Sequence, residues 1–337
     1  MSTILNNTRQ EEPLLIEDNT RFIQLPIKYK KLQDMYDIAE ATFWTSKEID
    51  YSADLSDWDS LTDDEKYFIE HILAFFAGSD GIVLENLIKN LCFEVKATEA
   101  RNFYSFQAMI ENVHGITYAL LLDTFVKDTD RKNELFNAID TIPCVQKKAE
   151  WALKWLTEKN LFEERLVAFV FVEGIFFSAS FASIFWLKSR NKLTKALGKS
   201  NELISRDESL HVDFGILLYH HLNNKISQER VEEMIEDAVN IEIEFIVDSI
   251  PCRLIGMNSD LMTEYIKYVA DRLLVQLGFI KKYNASNPFD FMKTFSLVSK
   301  TNFFEAKVTE YQHSSTAKPV GEDSWDFATE FNDINDI

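Results

Sequence analysis

Turn-forming residues are scarce in this sequence. Only 9 Gly and 6 Pro occur in 337 residues, which leaves long stretches with nothing to interrupt a helix. A sheet-rich fold, which needs turns at short intervals, is excluded on that ground, and the intervals are filled by helix formers, so the chain is expected to be all-α. Cysteine is scarce as well. Cys92, Cys144 and Cys252 are odd in number, widely spaced and without a CxxC pair; this argues against a disulfide framework and for a reducing compartment, with all three expected as small buried hydrophobes. Positive charge is in deficit too, with 35 Lys and Arg against 55 Asp and Glu and a formal charge of -20. Nucleic-acid binding needs a basic face that releases counterions, so a nucleic-acid partner is excluded. The opening residues MSTILNNTRQEEPLLIEDNTR are acidic where a secretory signal would be basic and then apolar, and a cytoplasmic location is expected.

What is present is apolar bulk: 46% hydrophobic residues and 13% aromatics, enough for a large core. Residues 166–187, LVAFVFVEGIFFSASFASIFWL, hold a single charge, Glu173, and read as the one stretch of membrane-spanning length. A carboxylate at bilayer depth is costly and no second such span is apparent, so the stretch is expected as a central buried helix and no membrane association is expected. Such a carboxylate must be paired, protonated or bound to metal. Residues 1–27, with Pro13, Pro26 and mixed charge, read as a flexible arm. Helix periodicity then dominates, with Thr62 as an N-cap ahead of Asp63, Asp64 and Glu65, a restart at Thr98, and breaks or starts at Pro143 and Pro251. Beyond 313 the segment GEDSWDFATEFNDINDI holds six acidic and no basic residues; residues 314–337 read as a disordered tail with Trp325, Phe327 and Phe331 as anchors.

A carboxylate and a histidine three residues apart share one helical face and can ligate the same ion. Three such pairs occur: Glu111 with His114, Glu208 with His211, and Glu310 with His313. With 6 His and 55 acidic residues, chance supplies about one, so spacing alone decides little. Context separates them. The first two are each preceded by a carboxylate-Gly pair in an apolar run, Asp80-Gly81 and Glu173-Gly174, and the third stands alone beside the tail. Asp80 and Glu111 are 31 residues apart, Glu173 and Glu208 are 35 apart, and polar turns near Val95-Lys96 and Arg190-Asn191 lie midway. Two helices folded back at each turn would run roughly 22 Å and bring both members to one height. Two such hairpins give four helices that present two single carboxylates and two Glu-x-x-His pairs inward, the donor set of a dimetal carboxylate bundle with one Glu replaced by Asp. Four carboxylates in an apolar core repel one another unless cations are present, and two divalent metals supply them. His71, His220 and His221 lack an acidic partner three residues before them and are expected to be structural.

That set alone leaves oxygen activation and metal storage both open. Tyr118 follows His114 by four and Glu111 by seven, so it shares their face. Phe177 and Phe181 follow Glu173 by four and eight, and Ile204 precedes Glu208 by four, aiming apolar groups at the same region. The strings FWTSKEID, LAFFAGSDGIVLENL, MIENVH, TIPCVQKKAEWAL, VEGIFFSASFASIFWLK, NELISRDESLH, VADRLLVQLGF and NPFDFM, in this order, resemble the small subunit of eukaryotic-type class I ribonucleotide reductase over about residues 28–312.

The resemblance implies a ferritin-like helical domain over 28–313 with a central four-helix dimetal site. Asp80, Glu111, His114, Glu173, Glu208 and His211 match the family's metal ligands, and Tyr118 matches the tyrosine that an oxygen-activated diiron centre converts to a stable radical. Trp44, Asp207 and Tyr311 match radical-transfer residues, with Asp207 orienting the His114 imidazole and the Trp44 indole. It further implies two Fe ions with Mn as a substitute, a homodimer, and a catalytic large subunit that receives the acidic tail. Some members that have lost ligands serve only as structural partners, whereas all six are present here. The tail ends NDINDI rather than on the aromatic residue typical of eukaryotic members. The competing readings are a ferritin-like ferroxidase, which needs neither Trp44 nor Asp207, a non-radical dimetal oxidase, with substrate where Tyr118 sits, and a non-catalytic partner subunit.

Overall fold

A computed structural model describes residues 9–17, 19–157 and 159–292. No strand occurs among them, as the shortage of turn residues implies. The helices of ten residues or more are α1 (Lys30–Ala41), α2 (Asp63–Asn86), α3 (Thr98–Phe125), α4 (Pro143–Trp155), α5 (Phe162–Phe171), α6 (Ser178–Ser189), α7 (Leu197–His220), α8 (Gln228–Ile243) and α9 (Ser259–Gln276). Helix α2 begins where expected: the Thr62 hydroxyl accepts from the Glu65 amide while the Glu65 carboxylate accepts from the Thr62 amide, a reciprocal cap. Pro143 opens α4 at the position where its missing N–H costs nothing.

Both expected hairpins form. Helix α2 runs on through a π turn, Leu87–Leu91, to Glu94 and reverses at residues 95–97 into α3, against which it packs along much of its length. Helices α5 and α6 are joined through a second π turn, Val172–Phe176, and the chain reverses over residues 190–196 into α7. This α5–α6 run contains the apolar stretch 166–187; 94% of its most apolar window is buried inside the protein, so its all-round hydrophobicity serves the core. The expectation of a single membrane-length stretch is corrected. Residues Asp63–Glu94 also reach that length and hydropathy, and they escape a search for a charge-free run because Glu70 and Asp80 interrupt it.

Helices approach one another closely where a side chain is missing. A Cβ on Gly174 would lie 2.7 Å from Leu273 Cδ1 of α9, whereas one on Gly81 would meet nothing within 4 Å. The two carboxylate-Gly pairs are therefore alike in sequence, but only at Gly174 would a side chain crowd a neighbouring helix.

Two other expectations change. Of the cysteines, Cys252 is buried while Cys92 and Cys144 are half-buried, since both sit near helix ends. Residues 9–17, expected as part of a flexible arm, are seated on the bundle. Arg9 pairs with Glu163, the Glu12 carboxylate accepts from the Asn223 and Asn224 amides at 2.7 and 2.8 Å, and Leu14 is fully buried with its carbonyl accepting from Lys96 N at 2.7 Å. That segment supplies acceptors to amides of the α2–α3 turn, which composition does not reveal. The expected boundaries near 313 and the tail lie outside the described residues.

The start of α7 is held from a distance. Ala196, its N-cap, has no side-chain acceptor; the fully buried Asp54 carboxylate accepts instead from Lys195 N at 3.0 Å, Ala196 N at 2.8 Å and Leu197 N at 2.9 Å, an anion at the positive end of a helix. Asp54→Ala leaves these amides without an acceptor and is expected to destabilise the chain by about 1–3 kcal/mol in urea unfolding. A change below about 0.5 kcal/mol, the range of an ordinary surface substitution, would show that water or relaxation replaces the cap.

Candidate metal centre

The four helix segments bring their carboxylates and imidazoles to one buried point. Helix α2 contributes Asp80, α3 contributes Glu111 and His114, the π turn contributes Glu173, and α7 contributes Glu208 and His211, all of them 4% exposed or less. Ligand-type atoms of Glu111, Glu173, Glu208 and His211 lie within 4.8 Å of one another, as do those of Asp80, Glu111 and His114. Glu111 belongs to both groups. Glu208 also reaches both imidazoles, with Oε1 3.0 Å from His114 Nδ1 and Oε2 3.2 Å from His211 Nδ1. The paired hairpins thus bring the two single carboxylates and the two Glu-x-x-His pairs together, and His114 and His211 both turn Nδ1 inward.

The donor chemistry fits divalent cations. Asp80 Oδ2, Glu111 Oε1, Glu173 Oε2 and Glu208 Oε1 are buried without a hydrogen-bond partner, a costly condition for polar atoms in a core. The imidazole nitrogens that lie 3.0–3.2 Å from two of these oxygens face them without hydrogen-bond geometry. Oxygen and imidazole donors of this kind suit iron, manganese or zinc.

Without cations the pocket lowers its charge by holding protons. Burial, then Glu111, pushes the Asp80 carboxyl well above its ordinary range, and burial, then Glu208, does the same to Glu173. Burial raises Glu208 as well, but the His211 charge and the close approach of Glu173, His114 and His211 outweigh it and carry the group down. Burial opposes the charged form of His211, yet Glu208 and Glu111 bring it up to about 9. His114 is likewise raised, since the nearby Asp207, Glu111 and Glu208 carboxylates outweigh its burial.

The next layer orients these groups. Gln107 Nε2 donates to Glu173 Oε1 at 3.0 Å; the residue lies four before Glu111 on the same face, a signal that spacing offered and sequence reading passed over. Asp207 Oδ2 accepts from Trp44 Nε1 at 2.7 Å and lies 3.1 Å from His114 Nε2. Its other oxygen accepts from Arg206 Nε and Nη2 at 3.1 and 2.8 Å, and Arg206 Nη2 also donates to the Thr42 carbonyl. Arg206 too was missed, and adjacency to Asp207 was its signal. Burial raises Asp207, but the His114 hydrogen bond and the Arg206 charge together bring it below its ordinary value, so the carboxylate stays charged.

Tyr118 is 2% exposed and its hydroxyl has no partner. Phe76 stacks on it with ring centroids 4.6 Å apart, and Phe177 and Phe181 pack against Phe76 at 5.7 and 5.0 Å. Burial, then the Asp80 charge, raises the phenol well above its ordinary range. Trp44 is 3% exposed and its ring stacks near His114 with centroids 6.0 Å apart. Tyr311, the pair Glu310 and His313, and Trp325, Phe327 and Phe331 lie outside the described residues. His220 and His221 are structural as expected, with ring nitrogens against the backbone carbonyls of Gln276 and Leu217.

Residues 21–288 match the family described as the ribonucleotide reductase small chain. The chain belongs to that family. It is 58% identical over 314 residues to the ribonucleoside-diphosphate reductase small chain of Neurospora crassa, with 93% of this chain and 76% of that one covered. It is 58% identical over 301 residues to the small chain of Variola virus, covering 89% and 94%. Among solved structures, the ribonucleotide reductase Rnr4 homodimer of Saccharomyces cerevisiae superposes with a TM-score of 0.78 at 39% identity, covering 89% of this chain and 93% of that one. The small chain is thus an oxidoreductase subunit with the ferritin-like helical fold, and its buried cluster can hold metal.

Metal uptake by the small chain must displace protons, because Asp80, Glu173, His114 and His211 all hold theirs more tightly than usual and metal ligation requires the deprotonated forms. Affinity is expected to rise with pH as these groups lose their protons, His211 at about 9 among them. Anaerobic titration with Fe(II) in weakly buffered indicator solution should acidify the medium; uptake without proton release would contradict the charge balance.

Proposed function

We propose that this small chain uses a diiron centre, held by Asp80, Glu111, His114, Glu173, Glu208 and His211, to generate a tyrosyl radical at Tyr118 that is relayed to a large subunit for the reduction of ribonucleotides. The observation that carries this reading is the Tyr118 pocket: a phenol with no hydrogen-bond partner, walled by Phe76, on the same helix face as Glu111 and His114. Two iron ions held by these six residues would supply the dioxygen activation needed to take an electron from this phenol; manganese is the alternative metal for the same donors.

The chain's own groups do the rest. Phe76, Phe177 and Phe181 exclude water, so an oxidised Tyr118 meets few partners that could quench it. The raised phenol keeps its proton at neutral pH, so oxidation must pass that proton on. Asp207 fixes His114 on one side and Trp44 on the other through a single oxygen, which supports a relay from the metal centre through His114, Asp207 and Trp44, continued by Tyr311. A ferroxidase or a metal store has no use for that link. The ligands and Tyr118 are all present, which favours a radical-generating subunit over a structural partner. The reading includes a homodimer, as in the yeast relative, a cytoplasmic location, and docking to the large subunit through residues 314–337.

Addition of Fe(II) and oxygen to the metal-free protein is expected to give a tyrosyl signal in electron paramagnetic resonance that is absent from Tyr118→Phe. No signal in the wild type, or one that persists in the variant, refutes the assignment. Deletion of residues 321–337 is expected to abolish binding to the large subunit in titration while leaving iron uptake unchanged; undiminished binding would show that the tail is not the anchor.

A further inference from the structure

A second group of charges is buried beside the metal centre without belonging to it. Lys148 of α4 lies on the helix face that carries Val145, Ala149 and Ala152 into the core, and its side chain is 1% exposed. Its ammonium lies 2.5 Å from Glu242 Oε2 of α8, whose side chain is fully buried. The same nitrogen donates to the Phe176 carbonyl at 2.8 Å and sits 3.7 Å from the ring centroids of both Phe75 and Phe245. A buried lysine is a costly component, and a buried ion pair is weak evidence of stabilisation, because apolar residues of similar volume serve a core as well or better. Its best-attested use is to fix one arrangement among several.

The partners of Lys148 show which arrangement is at stake. Phe176 closes the π turn Val172–Phe176, and Glu173 is the second residue of that turn. A π turn widens the helix by one residue and displaces the ordinary i→i+4 ladder, so its register needs outside support. On one side Gln107 holds the Glu173 carboxylate; on the other Lys148 holds the carbonyl end of the turn. The rings over the ammonium lead the same way. Phe75 packs against Phe76 at 5.6 Å and Phe177 at 5.8 Å, and Phe76 is the ring that stacks on Tyr118.

We propose that the buried Lys148–Glu242 pair is a positioning device for the metal centre, in which Lys148 holds the Phe176 carbonyl and so fixes the π turn that aims Glu173 at the other ligands. Glu242 makes the buried cation tolerable and fixes its direction. Burial lowers Lys148 to about 8 and raises Glu242 to about 7, and a proton passed between them leaves the pair neutral overall and the Phe176 carbonyl still served by an amine. The inference rests on the reading of the cluster as a metal site. Lys148 touches neither the ligands nor Tyr118 and acts only through the turn and the aromatic wall.

Removal of Lys148 alone would leave Glu242 buried and unpaired, so the test uses Lys148→Met with Glu242→Leu, which keeps volume and deletes both charges. The metal-free double variant is expected to fold with a melting temperature close to that of the wild type. Amides of residues 172–181 are expected to exchange hydrogen faster than in the wild type while those of α3 do not change. Its affinity for Fe(II), titrated without oxygen, is expected to fall about 10- to 100-fold, the usual effect of losing a group that orients a ligand. Wild-type exchange and affinity in the double variant overturn the proposal, and so does failure of the double variant to fold, which would make the pair a structural necessity rather than a positioning device. A wild-type chain that takes up no Fe(II) overturns the metal reading itself, and does so in a measurement made before any variant is compared.

Discussion

Four carboxylates cannot share an apolar core unless something answers their charge, and much of this structure derives from that requirement. Asp80, Glu111, Glu173 and Glu208 converge from three helices and a π turn into a space where no solvent reaches them. In the metal-free protein the answer is protons: two carboxyls are raised and both imidazoles are drawn toward the charged state. This is an unstable compromise for a core, since oxygens on all four side chains remain without donors. Cations remove the conflict where protons only divide it, which is why the donor set reads as a place prepared for metal rather than as a satisfied polar cluster.

The rest of the bundle keeps those groups in register. Each π turn adds a residue to a helix and rotates the residues beyond it, and the turn at Val172–Phe176 places Glu173 toward Glu208 while Phe177 and Phe181 face Phe76. A side chain at Gly174 would come within 2.7 Å of Leu273 Cδ1 of α9 and displace it. The start of α7, the helix that carries Asp207, Glu208 and His211, is set by a carboxylate from elsewhere in the chain, Asp54. These supports are costly individually, being buried charges or widened helices, and they are found around the one site that needs fixed geometry.

This division also explains how much was legible in the sequence. The hairpins could be read because helix rise is constant and polar turns are visible, so Asp80 with Glu111 and Glu173 with Glu208 met as spacing required. The Thr62 cap and the Pro143 start could be read because their causes are local. The π turn at Glu173 could not, since nothing in VEGIF distinguishes a widened turn from an ordinary one. Asp54, Lys148 and the seating of Glu12 and Leu14 were equally hidden: each acts on residues far along the chain, and its partner is a backbone group that carries no sequence signal. Asp63–Glu94 was overlooked as an apolar span because charges were counted where an average mattered.

The link between Trp44 and His114 shows how a single oxygen can give a site direction. Asp207 Oδ2 lies between the indole and the imidazole, while Oδ1 is occupied by Arg206. The His114 hydrogen bond and the guanidinium together hold the carboxylate in its charged form, and Arg206 on Oδ1 leaves Oδ2 to the two rings. His114 is thereby oriented with Nδ1 toward the carboxylate cluster and Nε2 toward Asp207, and the hydrogen-bonded connection from the cluster to Trp44 runs through this acid. An aspartate that merely balanced charge would pair with Arg206 alone. One that splits its two oxygens between a fixed cation and two aromatic rings links the carboxylate cluster to Trp44, and the proposed radical relay depends on that link.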